Sequence, residues 1–115
     1  MDKGWIRIWR LDEREIELSR KLTEKAFEIH FGEAQAIVLA RKINALLLID
    51  ESSGRALAEA LGLKVKGTIY VIMRAVREKL LRRTEAKEIV LTLVNKGFRI
   101  EPRLLARILR EIEHL

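Results

Sequence analysis

Apolar and polar positions along the 115 residues fall into short blocks whose spacing changes from block to block. WIRIWRL (5–11) alternates bulky apolar residues with Arg7 and predicts a strand. Asp12 then reads as an N-cap with Glu15 placed for a capping box. The helix that follows carries Ile16, Leu18, Leu22, Ala26, Phe27 and Ile29 at helical spacing and should end near His30 or Phe31. A second helix opens at Gly32, with Ala34, Ala36, Ile37, Leu39, Ala40 and Ile43 as its apolar surface. ALLLI (45–49), bounded by Asn44 and Asp50, suits a fully buried strand.

The remainder follows the same rules. SSGRALAEALG (52–62) predicts a third helix, capped by Ser52 or Ser53 and stopped by Gly62. LKVKG (63–67) predicts a brief strand, and 67–81 a helix that is apolar first and basic later. Thr84 and Glu85 open another helix that runs to Asn95, with Gly97 beyond it. Pro102, at a first helical position, starts the last. Strands alternating with helices predict an α/β fold with a parallel sheet, followed by two further helices.

This pattern gives three acids a possible meeting place. A helix from Gly32 to Ile43 spans about 16–18 Å, and a strand from Ala45 to Ile49 returns by about 16 Å. If they pack antiparallel, Glu33 and Asp50 finish at the carboxyl edge of the strand, where open α/β sheets place their ligands. Converging carboxylates repel unless a cation or a proton lies between them. Hard oxygen ligands suit Mg²⁺ or Mn²⁺. The other account is punctuation: Glu33 favours a helix N-terminus, and Asp50 caps the next helix.

Composition narrows the chemistry. Cysteine is absent and His30 and His114 are the only imidazoles, which excludes disulfides, thiolate nucleophiles and Cys-type zinc sites. No apolar run is long enough for a membrane span, and the charged N-terminus does not resemble a signal peptide, so a cytoplasmic protein is expected. Two Asn and one Gln among many Lys, Arg and Glu match the bias of proteins from hot environments.

Charge is uneven: residues 1–63 hold 10 Lys/Arg and 11 Asp/Glu, residues 64–115 hold 13 and 6. The densest basic stretch, MRAVREKLLRR, contributes Arg74, Arg77, Lys79, Arg82 and Arg83. It reads either as a solvated helix face or as a surface for nucleic acid or acidic protein.

GEAQAIVLA, ALLLIDE, GRALAEALGLKVKGT and NKGFRIEP, in that order, resemble a prokaryotic branch of the PIN-domain superfamily related to VapC-type toxin ribonucleases. The resemblance runs from about Gly4 to the C-terminus. It implies a metal-dependent nuclease fold, a three-layer parallel sheet flanked by helices, here incomplete at the N-terminus and extended by two C-terminal helices. It covers one domain over 1–115, with an incomplete α/β core to about residue 83 and a helical extension over 84–115.

By position, Glu33 matches the acid that opens the GEA helix and Asp50 the acid after the central strand, with Glu51 where a second acid often follows. The resemblance makes Glu33 and Asp50 catalytic, and Glu33, Asp50 and Glu51 ligands of Mg²⁺ or Mn²⁺. Arg74, Arg77, Lys79, Arg82 and Arg83 would hold RNA by its phosphates. Against the family pattern, the opening strand and its acid are expected to be missing, by natural truncation or a displaced gene start. A weakly active or inactive ribonuclease homologue is therefore expected. An unfilled sheet edge further predicts a homo-oligomer, a dimer foremost. The alternatives are a non-catalytic module binding RNA or an antitoxin-like protein, and a structural oligomer whose acids are caps.

Overall fold

Asp12 and Glu15 form the reciprocal box that starts the first helix, the Glu15 amide donating to Asp12 Oδ1 at 2.8 Å and the Asp12 amide to Glu15 Oε1 at 2.9 Å. In the computed structural model, which describes residues 4–25 and 28–115, this helix is α1 (Glu13–Lys25). It is followed by α2 (Phe31–Ile43), β1 (Leu47–Leu48), α3 (Ser52–Ala60), β2 (Val65–Lys66), α4 (Thr68–Arg77), α5 (Arg83–Asn95) and α6 (Pro102–Glu113). The expected continuation of α1 through Ala26 and Phe27 lies outside the described residues. The chain divides into two units, Met1–Lys66 and Gly67–Leu115.

In the first unit α1 packs on α2. Lys42 near the end of α2 pairs with Glu15 near the start of α1 at 3.0 Å, so the two helices run antiparallel. Ser19, fully buried, returns its hydroxyl to the Glu15 carbonyl, the local bond that lets a small polar residue sit in a helix interior. Ile37 and Ala40 of α2, Leu47 of β1, Ala58 of α3 and Val65 of β2 form the core. Asn44 ends α2 in the left-handed conformation (φ 53°), a role its short amide side chain tolerates.

β1 and β2 pair in parallel, Leu47 opposite Val65 and Leu48 opposite Lys66. The sheet is smaller than the sequence leads one to expect. Two strands of two residues replace the broad sheet, and the fold is mostly helical α/β, compatible with a PIN-like architecture. WIRIWRL forms no strand: residues 4–6 make a bend and 7–12 carry no regular structure. Alternation records a preference that only pairing realises, and no described residue pairs with this segment.

The second unit is helical. Ile72 and Val76 of α4, Ala86 and Val90 of α5, and Ile108 and Ile112 of α6 share one core. These positions recur at four-residue spacing on each helix, so each contributes one apolar stripe. Pro102 opens α6 as expected. Among the described residues no helix is long and apolar enough to cross a membrane.

Candidate metal centre

The acids flanking α2 and β1 have unequal fates. Glu33 stands in the first turn of α2, where Oε1 accepts the His30 amide at 3.1 Å. Its other oxygen, Oε2, is buried and has no hydrogen-bond partner among the described residues. Such an acceptor costs about 1–3 kcal/mol if nothing meets it. Glu51 is the N-cap of α3: Oε1 accepts from the Ser53 amide at 2.9 Å and Oε2 from the Gly54 amide at 2.7 Å. This cap takes the place expected of Ser52 or Ser53. The longer Glu side chain folds back onto the two amides that a shorter cap residue would serve.

Gly54 shows how closely the two acids approach. It is buried in the first turn of α3, and a Cβ built there would stand 3.0 Å from Glu33 Oε2, 3.3 Å from Glu51 Oε2 and 2.6 Å from Ile49 Cδ1. One point therefore lies within 3.3 Å of an oxygen from each carboxylate. Only a residue without a side chain lets Ile49 and the two carboxylates close on this turn. As carboxylates neither oxygen can donate to the other, so the pair calls for a shared proton or a cation.

The electrostatics of Glu51 follow from its bonds. The Ser53 amide first, then the Gly54 amide, hold the Glu51 carboxyl below its ordinary value of 4.5. A depressed folded value means that the unfolded chain takes up the proton first on acidification. The cap's contribution is complete above pH 4.5 and is lost as pH falls through the lower folded value. Thermal melts of wild type and Glu51→Gln should therefore differ above that window and converge below it. Curves that stay parallel down to about pH 3 would remove this role for the cap.

Asp50, the remaining expected ligand, is exposed between β1 and α3. Among the described residues no three His, Cys, Asp or Glu side chains come together as a metal-ligand group. The structure thus brings Glu33 and Glu51 to the same turn of α3. It adds one acid with no sequence signal: Glu28, whose Oε2 accepts the Ser53 hydroxyl at 2.6 Å, beside the Glu51 cap. Nothing in the spacing marks Glu28, because it reaches Ser53 across 25 positions.

A pair of carboxylates, one with an orphaned buried oxygen, fits one hard divalent ion that keeps water on its remaining positions. It does not fit two ions, each of which would need several oxygen ligands.

The basic stretch lies in the second unit. Arg77, Lys79, Arg82 and Arg83 line a cavity of about 530 Å³ between the end of α4 and the start of α5. Arg82 pairs with Glu85 at 2.9 Å, Arg83 donates to the Leu115 carbonyl, and Arg74, outside the cavity, pairs with Glu78 at 2.9 Å. Arg77 and Lys79 have no ion-pair partner among the described residues. Lys79 also holds a left-handed backbone (φ 61°), with its amide bonded to the Val76 carbonyl and that of Leu80 to Ala75. The turn is the Schellman form that glycine usually serves, as Gly62 and Gly97 do elsewhere in this chain. A lysine there costs about 1 kcal/mol and puts a cation at the cavity.

No curated protein and no solved structure matches the chain. A family model for a PIN domain matches residues 1–114, nearly the full length. With a parallel β1–β2 pair and acids gathered beyond the end of β1, the chain belongs to the PIN-domain family.

Proposed function

We propose that the chain is a divalent-metal-dependent ribonuclease homologue of low turnover, with one ion held by Glu33 and Glu51. The observation that carries this reading is the buried, unpartnered Glu33 Oε2 facing Glu51 Oε2 across the bare Cα of Gly54. Asp50 places a third negative charge next in sequence to Glu51, at an exposed position open to solvent and substrate.

Bound there, Mg²⁺ or Mn²⁺ would polarise a phosphodiester and lower the pKa of a bound water. The chain's own residues do the rest. The Ser53 and Gly54 amides keep Glu51 ionised, the His30 amide fixes the rotation of Glu33, and Gly54 keeps the space between them clear. Arg77 and Lys79, the cations without local partners, would contact RNA phosphates. Such contacts give affinity with little sequence information. A homo-oligomer, a dimer foremost, is part of the same proposal.

The test is a calorimetric Mn²⁺ titration, run beside cleavage of single-stranded RNA. Wild type should bind one ion, Glu51→Gln should lose it, and Asp50→Asn should weaken it less. Arg77→Ala should leave the titration unchanged and lower the salt dependence of RNA binding by about one counterion. Absence of Mn²⁺ binding in wild type makes both acids plain caps and leaves an RNA-binding module.

A further inference from the structure

The parallel pairing fixes which way each backbone group of β1 points. The Leu47 amide donates to the Lys64 carbonyl at 2.9 Å and the Ile49 amide to the Lys66 carbonyl at 2.8 Å. Leu47 and Ile49 therefore face β2, and the amide and carbonyl of Leu48, between them, face the opposite way. The sheet contains only β1 and β2 among the described residues, so that outer edge has no partner strand. The Leu48 side chain is 54% exposed, and Leu46 is also exposed. An edge with bare backbone groups and exposed leucines takes an extended chain as a further strand.

The same unit holds a segment with strand coding and no strand. Trp5 is 75% exposed and Ile8 72%, with Ile6 and Trp9 exposed beside them. Further along, Trp9, Arg10 and Leu11 line a cleft with Gln35, Ala36 and Leu39 of α2, so the segment is seated on α2 rather than on β1. Four large apolar side chains in five residues form an interaction surface, not scattered exposure. Arg7 and Arg10 make the segment basic, and β1 runs directly into Asp50 and Glu51, so the charges are complementary.

We propose that the outer edge of β1 docks residues 5–9 of a second copy of the chain, each copy giving its segment to the other. Of the sheet's two outer edges, that of β1 carries the exposed leucines, and with one unpaired segment per copy it meets what a two-fold, self-complementary interface requires. Five residues span about 16 Å in extended form, enough to cover β1 from Leu46 to the acids beyond it.

The chain contains no cysteine, which makes a cross-linking test clean. Two single variants, Ile8→Cys and Leu48→Cys, alter exposed side chains only. Mixed and oxidised, they should give the heterologous disulfide in excess over either homologous one. In sedimentation, wild type should be a dimer. Ile8→Asp, a change on the exposed segment that leaves both cores untouched, should raise the dissociation constant about tenfold or more. A wild type that sediments as a monomer overturns the proposal and leaves the edge to a different protein or to solvent. So does a dimer indifferent to Ile8→Asp, or cross-linking confined to homologous pairs.

Discussion

Glu33→Gln is expected to raise the melting temperature of the metal-free protein while abolishing its response to Mn²⁺. The two effects come from the two oxygens of one side chain. Oε1 accepts the His30 amide, and an amide oxygen fills that role equally well. Oε2 is a buried acceptor without a donor. Replaced by an amide nitrogen, it becomes a donor 3 Å or so from the same point that Glu51 Oε2 approaches.

A repelling pair of acceptors thus turns into a hydrogen bond. Relief of an unsatisfied buried group is worth about 1–3 kcal/mol, or about 4 °C and upward in a chain of this size. The cation loses one of two charged ligands and should no longer bind measurably. The check is a thermal melt with and without Mn²⁺. A stabilised variant that ignores the ion is the expected result. A destabilised variant would mean that Oε2 had a favourable partner, and one that still shifts with Mn²⁺ would put the ion elsewhere.

The second large effect is expected at Gly54. Gly54→Ala should cost little stability and most of the Mn²⁺ affinity. Alanine gains about 1 kcal/mol over glycine inside a helix. Against that, the new methyl would stand 2.6 Å from Ile49 Cδ1, and overpacking of this kind costs about 1–3 kcal/mol. The Ile49 terminus must turn away, so the net should be a loss of about 2 kcal/mol or less.

The ion fares worse, because the methyl would stand 3.0 Å and 3.3 Å from the two carboxylate oxygens and crowd any ion they share. Gly32→Ala is the matched control. It too lies within a helix, and a Cβ there meets nothing within 4 Å. It should gain stability and bind Mn²⁺ as wild type does. Titrating both variants separates a bare-Cα requirement from a general intolerance of change; equal affinity in the two would show that the two carboxylates share no ion.

How far the sequence spoke for itself differs by residue. The Asp12–Glu15 box, the stops at Gly62 and Gly97 and the Pro102 start were legible, because each depends on chain neighbours within four positions. The apolar blocks of α2 and α3 were legible for the same reason. WIRIWRL was misleading, since alternation records a preference and not the pairing that realises it. The place of Glu33 in the first turn of α2 was legible. Glu51, one methylene longer than Asp50, curls onto the α3 amides and so reaches Gly54. Glu28 could not be found, because its contact with Ser53 depends on how the chain turns after α1.

The division of labour within these acids has a consequence for descent. Each also begins a helix: Glu33 secures the first turn of α2, and Glu51 closes the N-terminus of α3. A lineage that gave up RNA cleavage would still be selected to keep both, for the sake of folding alone. Their survival in a sequence is thus a record of the helices they start. Gly54 is no better a witness, since the packing of Ile49 against its bare Cα would keep it too.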